Sequence, residues 1–198
     1  MNTSSLFKVW AIFCLGCQVN RGLFGEFVAD HRPARKEVEN GALKVYHDLI
    51  LRTADTNDRI SGKAEEEIQQ MLHISKVRSS GAIQEQLLKP LKAGKEHPKI
   101  AIAKAELVLY LVDELGDSLG EPPVTVENVT QFGLSGVNHT NPTVRKAGEK
   151  IVLKMYDLDG DFVRDMLPPD SSKTRMANLN YRRLFEAFDR RDGKSPRR

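Results

Sequence analysis

The 198-residue sequence contains few of the residues that stabilise disulfide-rich, β-rich or membrane-spanning proteins. Its only cysteines, Cys14 and Cys17, exclude a disulfide framework, which is typical of proteins from a reducing compartment. Aromatic residues make up only 7%, with one tryptophan, so the core must consist mainly of aliphatic side chains. The apolar stretch 9–17 is much shorter than the roughly 20 residues of a membrane-spanning helix. These scarcities favour an all-helical protein over a β-sandwich, and we expect no membrane association.

Motifs for catalysis, cofactor binding and metal binding are also missing. There is no glycine-rich phosphate loop and no G-x-S-x-G sequence. Cys14 and Cys17 lack a second Cys/His pair at zinc-ligand spacing. The acidic segment 157–161 alternates like a calcium loop, but Phe162 replaces the required glycine and Pro168 the bidentate glutamate. We therefore expect no enzyme activity, no cofactor and no metal site.

The charge is small overall but unevenly distributed. A formal net charge of +3 gives no argument for a nucleic-acid partner. From Asn138 onward, however, 14 Lys and Arg stand against 9 Asp and Glu. This basic end either faces an acidic partner or is an ordinary solvated surface.

The clearest helical pattern follows a polar turn that ends at Asn141. Pro142 comes next, at the position where the first turn of a helix does not use its backbone N–H. Apolar residues then recur at three- and four-residue steps and form one face: Val144, Ala147, Ile151, Val152 and Met155. Similar patterns predict helices almost throughout the chain from residue 37.

The apolar patterns and the turns between them give the bounds of seven further helical segments. The first has its apolar face at Val38, Ala42, Val45, Leu49 and Ile50 and stops at the turn 53–57. A second covers 58–72, and a third begins at a Ser80 cap and continues to Leu91. A fourth follows Pro98 to Leu115, and a fifth contains Val129, Phe132, Leu134 and Val137. After the helix that begins at Pro142, a short helical turn covers 162–167 and a final helix 178–189.

Three of the turns are related by a repeat. His97 lies 40 residues after Asn57 and 44 residues before Asn141, and each is followed by a helix with apolar residues at matching positions. These offsets lie within the roughly 40–47-residue period of HEAT and armadillo repeats. We therefore predict an all-α fold, a short α-solenoid of about three HEAT-like helix pairs plus a C-terminal helix. A non-repeating helical bundle is the alternative.

The chain divides into three parts by composition. Residues 1–36 are an apolar leader and linker outside the repeats, 37–193 the helical domain and 194–198 a basic tail. The leader is open to three interpretations: a secretory signal, a packing helix or a non-native start. A signal would make the protein secreted. Otherwise, we expect it in the cytoplasm.

Turns within successive helix pairs align along one edge of a solenoid, where they meet partners. Here those rim turns are 53–57, 95–97 and 138–141, and cations lie at or just after them. We predict that a partner with an acidic surface docks on this edge. The candidate binding residues are Thr53, Asn57, Arg59, Lys95, His97, Lys99, Asn138, His139, Asn141, Arg145 and Lys146.

Several segments of residues 39–193 resemble the last repeats of the TOG domain of 104-kDa centrosomal proteins. The most specific are LLKPLKA at 87–93 and MLPPDS at 166–171. The others are VENV at 126–129 with Phe132, the helix 144–156 and LFEAF at 184–188 with Asp192-Gly193. Residues 1–36 do not look like the leading repeats of that family.

The resemblance implies a non-catalytic module that binds α/β-tubulin through its intra-repeat loops and acts in cilium assembly. It implies location at the cytoskeleton, the centrosome or centriole and the cilium tip. Other centrosomal or ciliary proteins are further possible partners, and we expect a monomer. A HEAT-like scaffold for another acidic protein or helix, without tubulin affinity, is the alternative function.

Overall fold

The computed structural model describes residues 13–23, 34–92, 94–116 and 119–193, which contain helices but no strand. The predicted all-α fold is thus confirmed. Residues 13–21 are helical, and ten further helices follow in the described ranges: α1 (Arg35–Arg52), α2 (Asp58–His73), α3 (Ser75–Ser80), α4 (Ala82–Leu87), α5 (Pro98–Leu115), α6 (Val126–Val137), α7 (Pro142–Leu158), α8 (Gly160–Asp165), α9 (Ser172–Ala177) and α10 (Leu179–Arg191).

The chain forms two compact units. The first contains Met1–Leu87 and His97–Leu107. Its core contains the buried face of α1 and the apolar face of α2, because both helices repeat aliphatic residues at helical spacing. Fully buried residues of this unit are Ala42, Ala64, Ile68, Val77, Ile83, Leu87, Ala101 and Ala105.

The second unit contains Leu88–Glu96 and Val108–Arg198. Its core is more aromatic, since Phe132 of α6 and Phe185 and Phe188 of α10 are almost completely buried. Aliphatic side chains of α7 fill the space beside them: Val144, Ile151, Val152 and Met155. This unit therefore contains the clearest helical pattern recognised in the sequence.

The buried faces are displaced slightly from the predicted ones. Val45 in α1 and Ala147 in α7 are only half-buried, whereas the next residues, Tyr46 and Gly148, are buried. A glycine carries no hydrophobic signal, so its burial is not visible as part of an apolar face. The spacing of aliphatic residues thus predicts that a helix forms, but not which residues lie at the centre of its buried face.

The predicted helix from Ser80 to Leu91 is correct only over Ala82–Leu87, which forms α4. The short helix α3 precedes it and was not predicted, and Gly81 between the two has the left-handed backbone conformation, with φ 74°. Ser80 is the last residue of α3 rather than a cap outside it, although its hydroxyl does accept the N–H of Ala82 at 3.3 Å. A glycine with positive φ ends one helix and redirects the chain.

The leader and the C-terminal part contain helical residues that the sequence did not predict as such. Arg21 belongs to the first helical segment, and its guanidinium donates to the carboxylate of Glu67 on α2 at 3.1 Å. The interpretation of the whole leader stays a prediction. Helix α9 was also not predicted, and the Ser171 hydroxyl begins it by accepting the N–H of Thr174 at 3.1 Å. The basic tail 194–198 and residues 24–33 lie outside the described residues.

Candidate protein-binding turns

The three related turns end in the same local structure. The side chains of Asn57, His97 and Asn141 each accept the backbone N–H of the residue two positions later, at 3.1, 3.3 and 2.8 Å. Each contact satisfies a backbone donor that the first helical turn leaves unpaired. The repeat detected in the sequence therefore corresponds to a repeated way of starting a helix.

A fourth turn has this structure and was missed. Asn178 accepts the N–H of Asn180 at 2.9 Å and so begins α10. An Asn directly before an amphipathic helix was available as a signal, but the interval from Asn141 is only 37 residues, which lies outside the repeat period. The same capping geometry thus recurs outside the regular repeat.

In the first turn, the predicted residues have different roles. Thr53 is buried, and its hydroxyl donates to the carbonyl of Ile50 at 2.7 Å, so it stabilises the end of α1. Arg59 is exposed. Lys99 is also exposed, but its Nζ donates to the carbonyl of Asp55 at 2.9 Å and lies 3.9 Å from the Asp58 carboxylate. Arg59 is thus better placed than Lys99 to meet a partner.

The second turn exposes both of its predicted residues, Lys95 and His97. The imidazole Nδ1 of His97 is an acceptor, as described above, so this histidine caps α5 while its ring remains in contact with solvent. Lys95 belongs to the second compact unit and His97 to the first. The single line of three turns stays a prediction.

The third turn is held rigidly. His139 is 3% exposed, and its Nδ1 accepts the N–H of Asn141 at 3.1 Å. Arg145 Nη1 donates to the carbonyls of His139 and Thr140 at 3.0 and 2.6 Å. His139 therefore supports the turn from inside, and Arg145 uses part of its hydrogen-bonding capacity for the same task. Neither is a freely exposed contact residue.

The exposed amide of Asn138 links the third turn to the start of α10. Its Nδ2 donates to the Tyr181 hydroxyl at 3.1 Å, and its Oδ1 accepts from Asn178 Nδ2 at 3.3 Å. Neither partner was predicted from the sequence, because 40 or more residues separate them from Asn138. The turn 138–141 and the beginning of α10 thus form one surface within the second unit.

Close packing of α6 against α7 fixes the position of this turn. Gly148 of α7 lies directly against α6: a Cβ on this residue would lie 2.6 Å from Val137 N and 2.7 Å from Gly133 O. Only glycine allows two helix backbones to approach so closely. Gly148 was not among the predicted apolar residues, although it determines how closely the two helices that flank the turn can pack.

A cleft of about 370 Å³ opens beside this turn, between the first turns of α7 and α10. Its lining combines apolar and charged groups: Val137, Pro142, Arg145, Lys146, Glu149, Asn180, Arg183 and Leu184. Two of the predicted residues, Arg145 and Lys146, thus meet Arg183, which was not predicted. Arg183 lies next to Arg182 in a run of charges, and only the fold distinguishes the two.

A network of charged and aromatic side chains holds α10 in place. The rings of Tyr156 and Phe188 stack at 3.9 Å, and the Arg164 guanidinium lies 5.3 Å from both ring centres. Burial, together with the hydrogen bond to Asp192, raises the pKa of Tyr156. Arg175 binds Asp170 through two nitrogens and also Asp189, and these bonds raise its pKa. The C-terminal half of α10 is therefore held in a fixed position.

The other residues considered for redox chemistry or metal binding, Cys17 and the acidic segment 157–161, have structural roles. Burial and the nearby Glu67 carboxylate raise the pKa of the Cys17 thiol to about 11, so it is protonated and unreactive at neutral pH. In the former calcium candidate, Asp157 pairs with Arg191 at 2.7 Å and Asp159 caps α8. No cluster of metal-ligating side chains occurs within the described ranges. Nor does any helix there combine the length and the apolarity needed to cross a membrane.

Comparison with known proteins identifies the relatives of this chain. The family described as "Centrosomal protein CEP104, TOG domain" matches residues 3–151, a range that includes most of the leader. The human protein named "Centrosomal protein of 104 kDa" is 28% identical over 187 residues, which are 94% of this chain and 20% of that protein. Its mouse counterpart is 29% identical over 186 residues, or 93% and 20%. The chain spans about a fifth of the length of these relatives.

The similar solved structures are TOG domains of the same family. The structure described as "Structure of the TOG domain of human Cep104" superimposes with a TM-score of 0.83 at 28% identity, covering 90% of this chain and 67% of that one. A second structure, described as "CEP104 TOG domain", gives 0.79 at 25% identity, with coverages of 88% and 66%. The predicted fold class and the resemblance drawn from the short segments are both confirmed.

Proposed function

The chain belongs to the TOG-domain family of the centrosomal protein CEP104, and on this premise we propose that it is a non-catalytic module that binds α/β-tubulin. We place it in a protein of the centrosome, centriole and cilium tip that acts in cilium assembly. In this proposal the module is a monomer in the cytoplasm and its contacts with tubulin are made by the rim turns. The relatives' name supports the centrosomal part.

The repeated helix start is the observation that carries this proposal. In each of the three turns, a side chain fixes the first helical N–H groups, which leaves neighbouring cations on a rigid base. Arg59, Lys95 and Lys146 are exposed cations at these positions, and Lys99 is exposed as well but donates to the carbonyl of Asp55. Cations presented in this way attract an acidic protein surface and fix its orientation. Thr53 and His139 are buried, so in this proposal they do not contact tubulin but stabilise the turns from inside.

Size-exclusion chromatography with free tubulin tests the proposal. We expect the chain to co-elute with α/β-tubulin at tens of micromolar, and the complex to weaken when Lys146 is replaced by Glu. Lys150→Glu is the matched control, because Lys150 is an exposed lysine of the same helix that does not line the cleft. Arg145 is unsuitable for this test, since its replacement disturbs the turn itself.

The outcome that overturns tubulin binding is the absence of co-elution while circular dichroism shows an intact helical fold. Equal loss of binding in Lys146→Glu and Lys150→Glu would argue against the rim turns and for a non-specific charge effect. Both lysines are exposed, so neither change is expected to unfold the chain.

The basic cleft beside the third turn favours a second candidate function. A HEAT-like scaffold that binds another acidic protein or helix, without tubulin affinity, would use this cleft equally well. In that case tubulin does not co-elute, but an acidic probe still binds and depends on Lys146.

A further inference from the structure

The cleft between α7 and α10 has a charged side and an apolar side. Val137, Pro142 and Leu184 provide the apolar part of its lining. Arg145, Lys146 and Arg183 provide three cations, whereas Glu149 is the single carboxylate among the lining residues. The lining thus carries an excess of two positive charges, in a space whose volume lies at the lower end of the roughly 300–1,000 Å³ of ligand pockets.

Two of these cations lack a counter-ion. Within the described ranges, neither Lys146 nor Arg183 forms an ion pair or a hydrogen bond through its side chain. The neighbouring Arg182, by contrast, pairs with Glu186 at 2.8 Å, and Arg191 pairs with Asp157 at 2.7 Å. The second unit therefore pairs Arg182 and Arg191 of α10 with carboxylates but leaves Arg183, in the cleft, available.

Arg145 adds further donors to the same space. Both of its bonds to the turn use Nη1, so its Nε and Nη2 donors have no partner among the described residues. The bonds to the carbonyls of His139 and Thr140 also restrict the side chain to one orientation. A guanidinium held in this way loses less conformational entropy when it binds a carboxylate.

The surroundings of the cleft are fixed before any ligand binds. The amides of Asn138 and Asn178 join its two walls, and Asn138 also contacts the Tyr181 hydroxyl. The N-termini of α7 and α10 both border the cleft through Pro142 and Asn180, and the positive ends of their dipoles add to its potential. The site is therefore preorganised for a negative group.

From this arrangement we propose that the cleft binds a short glutamate-rich peptide segment of a partner protein. A single carboxylate contacts only part of this cation set, whereas adjacent glutamates place one carboxylate on Lys146 and another on Arg183. The methylene groups of the glutamates then lie against Pro142, the exposed apolar residue of the lining, since Val137 and Leu184 are buried. The inference rests on the proposed role as a protein-binding module, but its test contains no tubulin, so the two proposals fail separately.

Fluorescence anisotropy with a labelled hexaglutamate peptide tests this proposal on the full chain. We expect saturable binding at low ionic strength that weakens as salt is added, because the contacts are partly exposed. The double variant Lys146→Glu/Arg183→Glu should bind about tenfold or more weakly, since each reversal replaces an attraction by a repulsion. The matched control is Lys150→Glu/Lys173→Glu, which changes the net charge equally at exposed positions outside the cleft lining.

Three results would overturn the proposal. The first is equal binding of hexaglutamate by the two double variants, since the effect would then be one of net charge. The second is equal binding of a hexaglutamine peptide, which lacks the carboxylates. The third is tighter binding of tripolyphosphate than of hexaglutamate, which would identify a phosphate group as the occupant. Thermal unfolding of each variant verifies that the helical fold is retained.

Discussion

Replacement of Gly148 by Ala should destabilise this protein, although alanine is the better helix former. An added Cβ would meet three backbone atoms of α6: Val137 N at 2.6 Å, Gly133 O at 2.7 Å and Gly136 C at 2.7 Å. No side-chain rotation relieves contacts with a backbone, so the two helices must move apart. This movement would loosen the packing around Ile151 and Val152, which are completely buried.

The expected magnitude follows from two opposing effects. Overpacking of a core costs about 1–3 kcal/mol, and contacts with backbone atoms favour the upper end. The gain in helix propensity from Gly to Ala is about 1 kcal/mol. The net loss is therefore about 2 kcal/mol, which lowers Tm by about 4–8 °C for a chain of this length.

Two other glycines provide an internal scale. A Cβ on Gly133 would meet the methyl groups of Val152 and Ile151 at 2.8 and 3.0 Å, and side chains can move. Gly133→Ala should therefore cost less than Gly148→Ala. Gly62 is exposed in α2, and a Cβ added there would have no neighbouring atom within 4 Å, so Gly62→Ala should raise Tm.

Thermal unfolding followed by circular dichroism at 222 nm measures all three variants in the same buffer. We expect the Tm of Gly62→Ala to lie above that of the wild type and the Tm of Gly148→Ala to be the lowest. A Gly148→Ala protein as stable as wild type would refute the close approach of α6 and α7. So would a loss as large in Gly133→Ala, since the distinction between backbone and side-chain contacts would then have no consequence.

Two further predictions concern a helix cap and a buried thiol. Asn141→Ala removes the acceptor for the N–H groups of Thr143 and Val144 and should cost about 1 kcal/mol, whereas Asn141→Asp keeps that acceptor; equal Tm values for the two variants would contradict the cap. Burial raises the pKa of Cys17 from 9.0 to about 11, so its contribution to stability is intact below pH 9 and disappears as the pH approaches 11. Wild type should therefore lose more Tm over that range than Cys17→Ala, and parallel losses would disprove the shift.

The local patterns predicted most of the helices and the three related turns that precede α2, α5 and α7. Asn57, His97 and Asn141 were found as turn residues, and the structure shows that each caps the helix that follows through residues only two or three positions away. The error in the helix predicted from Ser80 has the same origin. That helix included Gly81 and extended to Leu91, and apolar spacing alone reveals neither the positive φ of Gly81 nor the end of α4 at Leu87.

Burial of the turn residues was beyond local patterns. Thr53 and His139 are polar residues in turns, and such residues are usually exposed. Their burial depends on the helices packed around them, and the same is true of Arg145, whose guanidinium turns back to the carbonyls of its own turn. The candidate set of eleven residues was therefore a list of turn positions, of which only some are exposed.

By itself, the sequence determined most of the helices, the three related turns and the family, because periodicity, turn residues and short specific segments are properties of neighbouring residues. Only the tertiary structure decided which residues share a surface. Gly148 matters because the backbone of α6 lies directly against it. Arg183 lines the cleft because α10 begins beside the turn 138–141. Such contacts join residues far apart in the chain, as the bond from Asn138 to Tyr181 across 43 positions shows, and no local pattern records them.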